Sequence, residues 1–281
     1  MRTIEVVLTR GRRKYSGPSG WNELKKPSLY RKLYRLSRIG FHIPTTRFMA
    51  LRLVYRMPER VSKLFFAPKT VSPTAEGSLL DDSDRTVLIG HQLLDTVQWI
   101  WDRFPNRRWH YKTLWVLWKR FQGPDDEFRG MTFQQFMFAE RHFEETLKPE
   151  RYRQGVLMLA ATLYVPRGRA FDPERIARHA RWLRWVPGDL LEAIAHNYIG
   201  IRYQFTLDFP EVFESDPDDD ENKVRKVRSA TSAGWLDVAL SLVGENIPLL
   251  HEYEKEELWM VMKVLQNAMI RNKELAEQNK K

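Results

Sequence analysis

Two pairs of side chains in this sequence have the spacing of half a metal site. His91 and Asp95, and Glu192 and His196, each stand four residues apart, which puts both members on one face of a helix. A bound metal needs further ligands, yet the chain has neither HExxH nor the paired ExxH pattern of di-iron bundles. The same spacing suits a structural salt bridge or hydrogen bond, and that is the reading adopted. Glu140, Glu144 and Glu145 flank His142. Such a cluster can do acid–base work if one carboxylate is buried. Arg141 alternates with them, so a solvated helix face is expected instead.

Other chemistry lacks its residues. The phosphate loops GxGxxG and GxxxxGK[ST] do not occur. The segment YSGPSG (15–20) is glycine-rich, but Pro18 removes an amide donor that an anion cradle needs. There is no GxSxG elbow. With no cysteine, thiolate nucleophiles, disulfides and cysteine-bound zinc or iron–sulfur centres are excluded. The acidic run FESDPDDDEN (213–222) lacks the central Gly and terminal Glu of an EF-hand loop. The sequence therefore predicts no catalytic, cofactor-binding or metal-binding residue. A hydrolase or metal enzyme built on His91/Asp95 or Glu192/His196 ranks behind two binding roles.

The strongest feature is charge. Residues 1–75 hold 17 Lys and Arg against Glu5, Glu23 and Glu59, a net of +14 in a chain whose total is +10. The remainder is slightly acidic at −4. Such a basic part attracts nucleic acid, an anionic membrane surface or an acidic protein face. Arg10, Arg12, Arg13 and Lys14 form a basic turn, and Arg31, Lys32, Arg35 and Arg38 form the basic face of a helix. In YRKLYRLSR (30–38) the tyrosines either stack on bases or pack inward. No helix-turn-helix, zinc finger or RNA-binding signature accompanies these residues. The acidic loop 214–221 of a neighbouring copy is one candidate for their partner, which leaves a homo-oligomer open.

The elements that must carry these residues are mainly helical. Residues 3–9 read as a short strand rich in β-branched residues. It pairs either with a weak second strand near 12–16 or with the sheet edge of a neighbouring subunit. Helices follow from Pro27–Ser28 to Gly40, over 46–57, and afresh from Pro58. Pro, Ser, Thr and Gly cluster over 67–84, giving a boundary between a basic N-terminal arm or subdomain (1–75) and a helical domain (76–281).

Beyond that boundary a helix is expected over 85–103, with Leu88, Leu94, Val97 and Trp101 as its apolar face. Residues 110–121 suit a helix or a short buried strand, and 122–130 a loop. Thr132 is a credible N-cap for a helix carrying Phe133, Phe136, Met137 and Phe143. The helix opened by Pro149 and closed by Pro166 has a middle that is apolar all round and reads as the central core helix. Asp172–Pro173 and Pro187 start two more. A short helix over 232–243 and a long one over 251–276 complete a multi-helix globular bundle with a short N-terminal strand or hairpin. The first 20 residues have no apolar signal-peptide core, and no run is long enough to span a membrane.

The order of segments GWNEL (20–24), FQGPDDEFRGMTFQQFMFAERHFEETL (121–147), LAATLYVPRG (159–168) and NYIGIRYQFTLDFPEVF (197–213) resembles a family of tail-region and virion proteins of tailed phages and prophages from Bacteroidetes-type hosts. The resemblance spans about residues 20–275. Its best-matching pieces are structural signatures without a catalytic motif, so no functional residue is carried over. It implies a virion, tail-assembly or connector role with other phage proteins as partners. It further implies residence in the host cytoplasm during assembly or in the virion. The acidic stretch 214–221 and the Arg- and Trp-rich composition depart from the pattern.

Overall fold

The computed structural model describes residues 1–8, 11–41, 43–66, 92–102, 105–213, 235, 238, 240, 243 and 246–278. The chain is mainly helical, with an N-terminal β-hairpin and a small three-stranded sheet. It divides into two compact units, Met1–Phe104 and Pro105–Lys281. The Pro/Ser/Thr stretch 67–84 and the acidic stretch 214–221 lie outside the described residues.

In the first unit β1 (Arg2–Leu8) runs antiparallel to β2 (Gly11–Gly17), with Ile4 opposite Tyr15 and Glu5 opposite Lys14. The first strand thus finds its partner in its own chain, through the weak second strand rather than a neighbour's edge. Thr3 and Ser16 hydroxyls meet at 3.0 Å across the pair, the kind of cross-strand contact that fixes register. Helix α1 (Pro27–Ile39) starts on a proline and stops at Gly40, whose φ of 101° only glycine adopts readily. Leu33 and Leu36 are buried as expected, and so are Tyr30 and Tyr34. The Tyr30 ring packs 4.6 Å from Trp21, which in turn meets Trp99 edge-on at 5.5 Å. Helix α2 (Pro44–Tyr55) ends at Arg56, in the left-handed region at φ 50°. Pro58 then opens α3 (Glu59–Phe66), its carbonyl accepting from the Val61 amide at 3.1 Å.

The helix expected to run on to 103 is shorter. Residues 92–95 are helical, and Gln98–Ile100 form a 3-10 turn. The buried side chains here are Leu93, Leu94, Val97 and Ile100.

The second unit opens on an irregular stretch pinned by one buried side chain. Asn197 Oδ1 accepts from the His110 amide at 2.8 Å, and Asn197 Nδ2 donates to the Arg108 carbonyl at 3.0 Å. Residues 110–121, ambiguous in sequence, form the hairpin β3 (Thr113–Val116) and β4 (Lys119–Gln122). Leu114 and Val116 point inward and Trp115 outward, the alternation of a one-sided strand. Strand β5 (Val165–Pro166) pairs antiparallel with β4.

Around this sheet lie α4 (Phe133–Thr146), α5 (Tyr152–Leu163), α6 (Ile176–Leu183), α7 (Gly188–Asp208), α8 (Pro210–Phe213), α9 (Ile247–Lys255) and α10 (Leu258–Gln278). Thr132 caps α4 by accepting from the Gln135 amide at 3.2 Å, and Asp172 accepts from the Glu174 amide at 3.0 Å. Helix α5 is the central one, with Val156, Leu159, Ala160, Ala161 and Leu163 buried. Its Gly155 lets it approach α4 closely, since a Cβ there would lie 2.7 Å from the Thr146 nitrogen. Phe128, Phe136, Phe205 and Trp235 fill the core, with neighbouring ring centroids 5.1 to 6.4 Å apart.

The C-terminal helix expected over 251–276 is two helices. Its backbone breaks at Glu256, where ψ is 158°. No proline or glycine causes this. Instead the Glu256 carbonyl accepts from the Phe133 amide at 3.0 Å and the Leu258 amide donates to the Met131 carbonyl at 2.9 Å. Two hydrogen bonds to another segment replace the helical ones.

Candidate functional site

The eight basic residues singled out in the sequence fall on two elements. Arg12, Arg13 and Lys14 are exposed on β2, and Arg10 lies outside the described residues. Arg12 stands 4.0 Å from Glu5 across the hairpin. On α1, Lys32, Arg35 and Arg38 are exposed and Arg31 is half-buried. Tyr30 and Tyr34, the rings offered by the sequence for stacking on bases, belong to the core. This part of the basic segment therefore offers charge without an aromatic platform.

What it offers instead is a groove of about 570 Å³ between α1 and α2. Lys32, Arg35 and Leu36 form one wall, Met49, Arg52 and Leu53 the other, and Arg56 and Met57 close the end. The surface inside is mostly apolar, and four cations ring it. Two arginines of α2 are braced. Arg47 lies 4.5 Å over the Phe41 ring, and Arg52 pairs with Glu59 at 3.3 Å.

In the second unit the polar cluster on α4 is not a solvated face throughout. Glu140 is fully buried. Arg202 Nε donates to both of its oxygens at 2.8 and 2.9 Å, and the Tyr198 hydroxyl donates to one at 2.7 Å. The expectation fails here because α4 presents position 140 to α7, and the cation that matches it lies 62 residues away. Burial, with Glu140 alongside, pushes the Tyr198 hydroxyl well above its ordinary pKa. Glu145 follows the solvated reading. Hydrogen bonds from Arg151 and Lys148 hold its pKa down to about 2. Desolvation lowers half-buried His142 to about 4, with Arg141 adding to the effect.

The i,i+4 pairs bring no metal site into view. His91 lies outside the described residues, and Asp95 is exposed. Desolvation holds half-buried His196 at about 3. Among the described residues no three His, Asp or Glu side chains converge.

A site not singled out in the sequence lies between β4, the loop after β5, and α6. It is a cleft of about 390 Å³ lined by Lys119, Arg120, Arg167, Arg169, Arg175 and Arg178, with Phe121, His179 and Trp182. The pairing of β4 with β5 sets the first two cations beside the next, as the Arg167 amide donates to the Arg120 carbonyl at 3.0 Å. Arg175 is neutralised by Asp172 at 2.7 Å. Among the described residues the other five carry no ion pair. Burial, with Arg175 and Arg178 nearby, lowers the His179 pKa, so the imidazole sits neutral in the cleft.

Tryptophans frame this cleft. Lys119 Nζ lies 3.7 Å over the Trp182 ring, and Trp118 meets that ring edge-on at 5.7 Å. Arg120 lies 5.9 Å over Trp115. Trp115 and Trp118 are 69% and 74% exposed. Leu117 and Trp118 form the tip of the β3–β4 hairpin, and Leu117 takes a left-handed φ of 54°. The signal was present as RGRAFDPERIARHARWLRW (167–185). Summing charge over the whole of 76–281 hid it under acidic residues elsewhere.

Fold and site together define a mainly helical protein of two units, each with its own cavity lined by cations. No protein-family model, no curated protein and no solved structure matches the chain. Among the described residues no helix is long and apolar enough to cross a membrane.

Proposed function

We propose that this is a phage virion or tail-assembly protein that works by protein–protein contact and has no catalytic step of its own. The observation that carries this reading is the groove of the first unit. An apolar trough ringed by Lys32, Arg35, Arg52 and Arg56 complements an amphipathic helix whose apolar face is bordered by Asp and Glu. The buried tyrosines of α1 favour such a protein partner over nucleic acid on this surface, since they leave no ring to stack. The phage setting rests on the resemblance of segment order. The non-catalytic part is supported by Glu140, the carboxylate best placed for acid–base work, which is tied to Arg202 and Tyr198.

The test is co-expression with the proteins encoded beside it, followed by size-exclusion chromatography with light scattering. A complex of defined stoichiometry is expected, and Lys32→Glu with Arg56→Glu should dissolve it. A protein that stays monomeric and joins none of its genomic neighbours overturns the reading.

A further inference from the structure

We propose that the cleft between β4, the loop after β5 and α6 binds single-stranded nucleic acid, with phosphates on Arg167, Arg169 and Arg178 and bases stacked on Trp118 and Trp182. This goes beyond the contact-making role above and uses a different unit of the chain.

Charge is the first argument. Five cations with no ion pair among the described residues share one cavity. Like charges held this close repel one another, so an anionic ligand relieves them all at once. The second argument is the rings. A tryptophan exposed by 70% or so loses the burial that its large apolar surface could gain. Here two such rings border one cationic cleft, Trp118 against Trp182 and Trp115 beneath Arg120. Trp182 is further held by Lys119 over its face and Trp118 at its edge, so the platform is built before any ligand arrives.

The combination selects among anions. An acidic peptide or polyphosphate satisfies the arginines but has no planar face for the tryptophans. A duplex hides its base faces and shows only their edges. A single strand presents phosphate and base face together, and basic grooves interleaved with aromatic rings are how such strands are bound. The cavity of about 390 Å³ lies at the small end of ligand pockets, about 300–1,000 Å³, which suits a nucleotide entering from an open strand.

The experiment is fluorescence anisotropy of the full chain with a labelled oligo(dT) of about 16 nucleotides, the upper end of the site sizes of known single-strand modules. Competitors are the matching duplex, polyphosphate and polyglutamate. Oligo(dT) should bind best at matched charge. Its salt dependence should have a log–log slope near −2, about −0.7 for each of three phosphates. Arg167→Glu with Arg169→Glu should abolish most binding and flatten that slope. Trp118→Ala should weaken binding about 5- to 100-fold with the slope unchanged, and Trp118→Phe should recover part of the loss. Lys32→Glu with Arg56→Glu in the first unit, which bears on the partner groove, should leave the oligo(dT) affinity within about twofold. The proposal is overturned by any of four results: no binding at low salt, polyphosphate or duplex competing as well as oligo(dT), an unaffected Trp118→Ala, or loss in the first-unit variant. Trp118, Arg167 and Arg169 are exposed, so circular dichroism should show all these variants folded.

Discussion

Arg202 reaches from α7 to α4 and places one N–H between both oxygens of Glu140, at 2.8 and 2.9 Å, in a site where the carboxylate has no exposure to water. The Tyr198 hydroxyl fills a further acceptor position on the same carboxylate, and the Arg202 guanidinium lies 5.2 Å over the Phe143 ring. The charge is thereby balanced inside the core by partners from a single helix turn. That arrangement ties α4 to α7.

Removing one partner strands the other in the core. Glu140→Gln should therefore destabilise the protein by about 3–5 kcal/mol, and Arg202→Met by a similar amount. Replacing both, Glu140→Leu with Arg202→Met, should cost less than either single change, because no uncompensated charge remains. Tyr198→Phe removes one hydrogen bond to a charged group and should cost about 1.5–3 kcal/mol. Urea unfolding of the four variants checks this. A double variant as unstable as the sum of the singles would show that the pair is not the unit.

Gly155 should resist the substitution that usually helps a helix. In a helix interior alanine is ordinarily better than glycine by about 1 kcal/mol. At 155 the added carbon would sit 2.7 and 2.8 Å from backbone atoms of Thr146 and Glu145, which cannot rotate away as a side chain can. Gly155→Ala should instead cost about 1–3 kcal/mol through overpacking. Equal or greater thermal stability in the variant would mean that α4 and α5 separate more easily than their contact implies.

What could be read from the sequence was local. Pro27 with Gly40, Thr132, Asp172–Pro173 and Pro187 mark helix ends by backbone chemistry that acts within a few residues, and the helices start or stop beside them. The strand at 3–9 declared itself by β-branching, though its partner did not, because GRRKYSG carries little strand propensity of its own. What escaped was long-range. The break at Glu256 is made by hydrogen bonds to Met131 and Phe133. The burial of Glu140 needs Arg202. The cleft joins residues 119–120 to 167–182 through the pairing of β4 with β5. Charge summed along a chain does not report which charges share a surface.

The β3–β4 tip carries strain that a substitution can release. Leu117 is 58% exposed and takes φ 54°, a region that costs an ordinary side chain about 1–2 kcal/mol. Asparagine tolerates it, so Leu117→Asn should leave stability unchanged or raise it by about 1 kcal/mol. Denaturant midpoints would measure the change. A clear loss would show that the leucine makes a contact outweighing its backbone strain.

Acid should weaken the fold mainly between pH 6.5 and 4, and buried imidazoles set that window. Desolvation lowers His196 to about 3 and His142 to about 4, against 6.5 for a free imidazole. Each binds its proton more tightly once the chain unfolds. Between the folded and unfolded values the unfolded state therefore holds more protons, and stability falls as pH drops. Above pH 6.5 both rings are neutral in either state and the effect vanishes. Both rings are half-buried, so solvent screening reduces the full linkage, leaving a loss of about 2–4 kcal/mol between pH 7 and 4.5. Glu145 acts in a lower window. Arg151 and Lys148 hold it near 2, so the stability it adds is present above its unfolded value and fades below about pH 4.5. Urea unfolding at pH 7.5, 6, 5 and 4.5 should trace the histidine limb and further points at pH 3.5 and 3 the Glu145 limb, and His142→Gln with His196→Gln should flatten the first while leaving the second in place. If the double variant keeps the parent slope between pH 6.5 and 4.5, protonation of these rings is not what acid does to this protein.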